Sequence, residues 1–210
     1  NDNFITENVS LYGLIDENIH YSSACQTRKG PYPLCNQMLL PSYSLAKSLA
    51  GTLGVSLVEN NYGSVSKLSV AETVEKCNGK KWQDVSLEDL SDMATGNFIN
   101  PTFDLDEAGL KQTGFVFDKL TDAEKINLAC SAYPRKSKPG TRFVYHTSDT
   151  YILGKALNEF LANNTEAEDY YAELLSPFLK NLGMSYAIEA SLRTEDEIKQ
   201  PYTGWGMYLL

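Results

Sequence analysis

The sequence predicts an α+β protein in which strands at the N-terminus precede a large, mostly helical region. Residues 8–23 mix β-branched and aromatic residues with turn signals, and residues 41–210 contain several segments with apolar residues at helical spacing. The chain has 210 residues, of which 42% are hydrophobic and 21% charged, as in an ordinary globular domain. We therefore expect one domain, with strands in residues 1–40 and helices in residues 41–210.

The segment "NVSLYGLIDENIHYSS", residues 8–23, carries the strand prediction. Val, Leu, Ile and Tyr residues lie on both sides of "IDEN", a sequence rich in turn-forming residues. This pattern predicts a β-hairpin.

Two of the four cysteines, Cys25 and Cys35, flank the turn-rich segment "QTRKGPYPL". A disulfide that closes this loop would imply a periplasmic or secreted protein. Free buried cysteines would instead fit a cytoplasmic protein. The sequence leaves both interpretations open, and it does not give the pairing of Cys77 and Cys130.

The helical region begins at residues 42–59, where leucine recurs at every fourth position and small residues occupy the other faces. A helix that is apolar or small all round is typically buried. Further helices are predicted at residues 86–94, 120–133, 148–162 and 170–184. Two of them begin with a capping pair, a hydroxyl residue followed three positions later by an acid: Ser86 with Asp89, and Thr121 with Glu124.

Composition excludes several classes of function. The net charge is −9 and the sequence contains no basic stripe, so we expect no nucleic-acid partner. No apolar run approaches the length of about 18 residues that a membrane span requires. The only histidines are His20 and His146, and no residues have zinc-ligand spacing, so we expect neither a metal site nor a cofactor.

The stretch "LLPSYSLAKSLAGTLG" contains a serine and a lysine at S-x-x-K spacing, Ser44 and Lys47. Residues three apart share one face of a helix. Apolar surroundings destabilise the ammonium form of a lysine and lower its pKa. Such a lysine can take the proton of a serine nucleophile. The spacing alone favours a helix-capping serine with a snorkelling lysine. A second copy occurs at Ser64 and Lys67, but it follows a turn and has no apolar helix around it.

Four stretches in the same order resemble the superfamily of serine β-lactamases, penicillin-binding proteins and related esterases. "LPSYSLAKSLAGTLG" resembles the S-x-x-K element that opens the central helix of that family, and "PGTRFVYHTSDTYILG" resembles its tyrosine element. "VSLEDLSDMATGN" and "LLSPFLKNLGM" are similar to two further segments. Together the matches extend over residues 39–184, which makes them more specific than either short motif.

The resemblance implies catalytic roles for three residues. Ser44 would be the nucleophile that forms an acyl-enzyme. Lys47 would help to deprotonate Ser44. Tyr145 would carry a proton between Ser44, the leaving group and water.

Thr147 and His146 are the residues that the resemblance places beside substrate. Thr147 occupies the position of the family's asparagine, and this departure argues against β-lactam hydrolysis. His146 is expected to neighbour the site and line it. We interpret Asp149 as the cap of the helix that follows.

The third motif of the family, K-T-G or H-x-G on a strand, does not follow Tyr145 in this sequence. That strand would supply the second backbone donor of the oxyanion hole. We therefore expect this chain to be the first part of a family domain, without the C-terminal strands of its sheet, which a second chain could supply.

Two hypotheses for the function follow. The first is a serine hydrolase without metal or cofactor that cleaves a small ester, a β-lactam or a D-Ala peptide. The second is a catalytically incompetent relative or fragment that acts as a binding or partner module.

Overall fold

The computed structural model describes residues 9–210 and divides them into two compact units. One unit contains the described residues up to Leu40 together with Leu210, and the other is Pro41–Leu209. Short strands dominate the first unit and helices the second, so the predicted α+β order is confirmed.

The first unit contains the predicted hairpin. Strand β1 (Gly13–Asp16) pairs antiparallel with strand β2 (Ile19–Ser22). The two residues between them, Glu17 and Asn18, have φ values of 44° and 68°, as a tight hairpin turn requires. The hairpin lies within residues 8–23, of which residue 8 is outside the described part.

A second, shorter ribbon follows in the same unit. Strand β3 (Gln26–Thr27) pairs antiparallel with strand β4 (Gly30–Pro31). A disulfide joins Cys25 to Cys35 and closes this loop. Strand β5 (Leu40–Pro41) ends the segment. The sequence left open whether these cysteines are free or paired, and in the structure they are paired.

The second unit is built from seven α-helices among the described residues, several of them extended by π-helical turns. A π-helical segment, Lys47–Thr52, runs directly into helix α1. Another, Gly114–Asp118, continues α4, and a third, Tyr171–Leu175, precedes α7. The helices are α1 (Leu53–Tyr62), α2 (Val70–Thr73), α3 (Leu87–Ser91), α4 (Leu110–Thr113), α5 (Asp122–Ser131), α6 (Thr147–Asn164) and α7 (Ser176–Asn181), and strand β6 (Tyr208–Leu209) follows them.

Helix α6 is the centre of the core, because it contacts α1, α2, α3 and α5. Its buried apolar side chains include Ile152, Leu153 and Leu157. Where α1 passes the segment before α7, Gly54 leaves room for the ring of Tyr170, whose hydroxyl donates to the Ala50 carbonyl at 2.7 Å. Helix α6 thus packs directly against α1 and against the segment Lys47–Thr52 that precedes it.

Both predicted capping pairs are confirmed. Ser86 Oγ accepts from the Asp89 N–H at 3.1 Å, and the Asp89 carboxylate accepts in return from the Ser86 N–H. Thr121 and Glu124 form the same reciprocal pair at the start of α5. Each pair satisfies backbone donors that the first helical turn leaves free.

Two helix starts differ from the prediction. Residues 42 and 43 are not helical, because the Ser42 N–H donates to the Met207 carbonyl at 2.9 Å and Tyr43 has a φ of 45°. Helix α6 begins at Thr147, so Asp149 lies inside its first turn. The interpretation of Asp149 as the helix cap is therefore wrong.

A second disulfide joins Cys77 to Cys130, so that all four cysteines are paired. It connects the short 3₁₀ turn Glu75–Cys77 to helix α5. No helix in the described part of the chain combines the length and the apolar character needed to cross a bilayer.

Candidate active site

Ser44 lies where the chain enters the helix that leads into α1. Tyr43, directly before it, adopts a left-handed backbone conformation, which costs free energy in a residue with a bulky side chain. Lys47 N–H donates to the Ser44 carbonyl at 3.0 Å and closes the first turn. The Ser44 side chain is exposed, at a helix N-terminus whose partial positive charge favours an oxyanion.

Lys47 is buried, and its amine contacts three oxygen atoms. Lys47 Nζ donates to Ser44 Oγ at 3.1 Å, to Thr147 Oγ1 at 2.8 Å and to the Gly204 carbonyl at 3.1 Å. It forms no salt bridge with any carboxylate of residues 9–210. The amine therefore points into the protein toward Ser44, unlike a lysine that snorkels to solvent.

Tyr145 lies beside this lysine in the irregular segment before α6. Lys47 Nζ is 4.8 Å from the centroid of the Tyr145 ring, which is half-buried. The rings of Phe103 and Phe143 flank it at centroid distances of 6.1 and 6.4 Å. Within the described residues, the Tyr145 hydroxyl forms no hydrogen bond with Ser44 or Lys47. The contact between Tyr145 and the Lys47 amine is thus made by the tyrosine ring.

Thr147 connects Lys47 to a carboxylate that the sequence analysis missed. Glu107 Oε2 accepts from the Thr147 N–H at 2.8 Å, and the Thr147 hydroxyl donates to Glu107 Oε1. The Thr147 N–H belongs to the first turn of α6 and has no acceptor within the helix, so the carboxylate also satisfies the helix N-terminus.

His146 has no exposed surface with which to touch a substrate. Its Nε2 lies 3.1 Å from Asp106 Oδ2, its Nδ1 lies 3.6 Å from Asp149 Oδ2, and its ring stacks on Tyr133. The expectation that His146 lines the site is therefore not met, because its side chain packs inward. Burial lowers the pKa of His146, but the carboxylates of Asp149 and Asp106 raise it by more, so its pKa lies above the ordinary 6.5.

Asp106 also fixes the loop that carries Glu107. Its carboxylate accepts from the N–H groups of Ile99 and Asn100 at 2.8 and 2.9 Å. The two neighbouring acids therefore hold different structures: Asp106 holds its own loop, and Glu107 holds the start of α6. The only signal for these two roles in the sequence was the adjacent pair of acids "DE" at 106 and 107.

Gly204 supplies the third partner of Lys47 from the far end of the chain. A Cβ atom at this position would lie 2.5 Å from Thr147 Cγ2 and 3.0 Å from Thr150 Oγ1. Only glycine therefore lets this backbone approach closely enough for its carbonyl to reach Lys47.

A cleft of about 440 Å³ opens over Ser44. Its walls include Thr147 and Glu107, together with apolar side chains such as Val116 and Trp205. The cleft exposes a hydroxyl, backed by an amine, to a small molecule, and this arrangement can perform nucleophilic attack on a carbonyl group. Among residues 9–210, no cluster of three His, Cys, Asp or Glu side chains could hold a metal ion.

Comparisons with known proteins identify the family and the fold of this chain. The family model described as Beta-lactamase matches residues 8–196. Solved structures with the same fold include a class C β-lactamase (TM-score 0.60, 16% identity, covering 95% of this chain and 55% of that one). No curated protein sequence matches the chain.

Two further structures have named organisms. A D-alanine carboxypeptidase from Burkholderia cenocepacia has a TM-score of 0.57 and 18% identity, with 95% of this chain and 54% of that one covered. A penicillin-binding protein from Bacillus halodurans has a TM-score of 0.62 and 15% identity, with 95% and 65% covered. At these identities the likeness concerns the fold, and the chain spans little more than half the length of most of these structures.

Proposed function

Since this chain belongs to the β-lactamase family, we propose that it acts as a serine hydrolase that cleaves an ester or amide through an acyl-serine intermediate. The observation that carries this proposal is the contact of 3.1 Å between Ser44 Oγ and the buried Lys47 amine, at the edge of the cleft. A serine hydroxyl becomes nucleophilic when a neighbouring base accepts its proton.

We assign the proton transfers as follows. The Lys47 amine accepts the hydroxyl proton while Ser44 Oγ bonds to the substrate carbonyl carbon. The Tyr145 hydroxyl then donates a proton to the leaving alcohol or amine as its bond to the acyl carbon breaks. Water, deprotonated by the same tyrosine, later attacks the acyl carbon, and Lys47 returns its proton to Ser44 Oγ as the acyl–serine bond breaks. The position of the Tyr145 ring against Lys47 supports this assignment.

The oxyanion that forms in each step requires backbone donors. The Ser44 N–H, at the start of the helix, is one candidate. Relatives in this family take a second donor from the strand that carries the third motif, so we propose that such a strand, in the same or a second chain, completes the site. Loss of one such donor typically costs about 3–4 kcal/mol of transition-state stabilisation. We therefore expect this chain alone to react slowly.

Small esters and D-Ala peptides are the substrates that we favour. Thr147 offers a single hydroxyl in place of the carboxamide that the family's asparagine would provide, and this hydroxyl is already engaged by Lys47 and Glu107. The similarity in fold to a D-alanine carboxypeptidase supports the same class of acyl compound. β-Lactams remain the third candidate substrate.

Covalent labelling tests the proposed nucleophile. A fluorophosphonate should attach to Ser44 of the unsubstituted chain, and the label should disappear in Ser44→Ala because no nucleophile remains. Ser64→Ala is the matched control, since Ser64 belongs to the other S-x-x-K sequence and should keep the label. Intact-mass analysis measures both.

The same experiment separates the two hypotheses for the function. Lys47→Ala or Tyr145→Phe should slow labelling by about a hundredfold, which is typical of a lost proton-transfer group, without changing the thermal midpoint greatly. A folded chain that takes no label would contradict the hydrolase and favour a binding module.

We also propose an oxidising location, the periplasm or the cell exterior. Two disulfides, Cys25–Cys35 and Cys77–Cys130, support it. Such bonds persist in these compartments and are rare in the cytoplasm.

A further inference from the structure

We propose that Glu107 is a positioning residue that acts through Thr147 to direct the lone pair of Lys47 toward Ser44. This inference rests on the serine hydrolase proposed above. It concerns which groups around the Lys47 amine donate hydrogen bonds and which accept them. These directions decide whether Lys47 can accept the proton of Ser44.

The three partners of Lys47 differ in what they can offer. The Gly204 carbonyl can only accept a hydrogen bond. The hydroxyls of Thr147 and Ser44 could each donate or accept. Without a further partner, either hydroxyl could therefore donate to the nitrogen of a neutral lysine, and Thr147 would compete with the nucleophile.

Glu107 removes this ambiguity. An ionised carboxylate only accepts hydrogen bonds, so the single hydrogen of the Thr147 hydroxyl points to Glu107 Oε1. Thr147 Oγ1 is then left with lone pairs and can only accept from Lys47 Nζ, which lies 2.8 Å away.

An amine that is to accept the proton of Ser44 must have two N–H groups and one lone pair, so in the reacting state the contact with Ser44 runs from the serine hydroxyl to Lys47 Nζ. The two N–H groups match the two oxygens that only accept, Thr147 Oγ1 and the Gly204 carbonyl. The lone pair is left facing Ser44, the one partner that can donate. When the Ser44 O–H bond breaks, its proton forms the third N–H of Lys47, and the oxygen electron pair forms the bond to the acyl carbon.

Glu107 is held firmly enough for this task. Its second oxygen, Oε2, accepts from the Thr147 N–H at 2.8 Å, so the carboxylate bridges the backbone and the side chain of one residue. The preceding residue, Asp106, anchors that loop through the N–H groups of Ile99 and Asn100.

Glu107→Gln should reverse the hydrogen bond without changing the shape of the side chain. The Thr147 N–H still needs an acceptor, so the amide oxygen must face it and the amide NH₂ must face Thr147 Oγ1. The hydroxyl hydrogen then turns toward Lys47 and occupies its lone pair. We expect the rate of Ser44 labelling by a fluorophosphonate to fall by about tenfold or more. The thermal midpoint should fall only slightly, because the amide oxygen still accepts from the Thr147 N–H.

A double-mutant cycle tests whether the effect passes through Thr147. In a Thr147→Val background there is no hydroxyl to orient, so Glu107→Gln should cause no further loss of labelling rate. Asp104→Asn is the matched control, because it removes one negative charge from an exposed position of the same loop and should leave the rate unchanged.

The pH dependence separates positioning from simple charge. A purely electrostatic role would move the pH at which labelling accelerates and leave the plateau rate intact, whereas lost positioning lowers the plateau itself. A labelled chain whose plateau is unaffected by Glu107→Gln, or an equal loss in the Thr147→Val background, overturns this inference alone. Absence of any Ser44 label in the unsubstituted chain overturns the proposed hydrolase, and this inference with it.

Discussion

The imidazole of His146 is enclosed by two carboxylates and a tyrosine ring. Asp106 and Asp149 both approach it, and Tyr133 stacks on it at a centroid distance of 4.1 Å. A protonated imidazole is therefore favoured here, and its pKa lies above 6.5 although burial alone would lower it. One carboxylate oxygen, Asp149 Oδ2, has no hydrogen bond among the described residues and depends on this positive charge.

This cluster predicts a pH-dependent stability. Because the pKa of His146 is raised in the folded state, its contribution is fully present below pH 6.5 and is lost as the pH rises through the higher folded value. His146→Gln should therefore flatten the fall of the thermal midpoint from neutral to mildly alkaline pH. Thermal unfolding followed by circular dichroism across this range measures the effect.

His20 provides the control for that measurement. It is the only other histidine, and it lies exposed on strand β2. His20→Gln should leave the pH profile unchanged, and a profile that His146→Gln also leaves unchanged would contradict the prediction.

At the scale of residues, local spacing was what the sequence could reveal. Ser44 and Lys47 meet because one helical turn separates them. In the motif before α6, the Thr147 hydroxyl contacts Lys47 Nζ and the Tyr145 ring lies beside it. Glu107 was missed because its approach depends on an irregular loop. The contribution of Gly204 depends on a contact between residues 157 positions apart, for which a single sequence contains no signal.

Helix capping is the feature that best explains the boundaries of individual elements. Helix α5 begins at the pair formed by Thr121 and Glu124, and α3 begins at the equivalent pair. Such pairs are recognisable in the sequence because they depend on residues only three positions apart. Helix α4 and the π-helical turn after it were not predicted, because a segment this short shows no clear periodicity.

Removal of one cap should cost a measurable amount of stability. Thr121→Ala leaves the Glu124 N–H without its side-chain acceptor, and we expect the free energy of unfolding to fall by about 1 kcal/mol. Denaturant titration measures the change. Thr102→Ala is the control, since Thr102 is exposed and its hydroxyl forms no hydrogen bond among the described residues; an equal loss in the two variants would contradict the capping explanation.

Two disulfide bonds cross-link the molecule, and they close loops of different length. The Cys77–Cys130 bond closes a loop of 53 residues inside the helical unit, whereas Cys25–Cys35 closes one of 10 residues in the strand unit. A longer loop has more conformational freedom in the unfolded chain, so its closure stabilises the fold more.

The two bonds should therefore differ in their effect on stability. Replacing Cys77 and Cys130 by alanine should lower the free energy of unfolding by about 4 kcal/mol, and replacing Cys25 and Cys35 by about 3 kcal/mol. Denaturant titration of the two paired variants measures this. The Cys25 and Cys35 variant should also keep its Ser44 label, and the reverse order of stabilities would contradict the loop-length argument.

For the molecule as a whole, composition and the order of elements predicted the α+β class. The sequence could not give the packing around α6, because the helices that contact it are separated by long irregular stretches. It also could not give the pairing of Cys77 with Cys130, since 53 residues separate them.

The winding of the backbone after Lys47 sets the direction in which the nucleophile points. Between Lys47 and Thr52 the helix is wound more loosely than an α-helix, and the Leu53 N–H reaches back five residues to the Ser48 carbonyl. If the same residues were wound as an ordinary α-helix, everything upstream would be turned by about 100° around the helix axis. Helix α1 would still fit the interior of the protein, but the Ser44 hydroxyl and the Lys47 amine would point in a different direction. The extra residue in the π-helical turn therefore sets the direction of both groups.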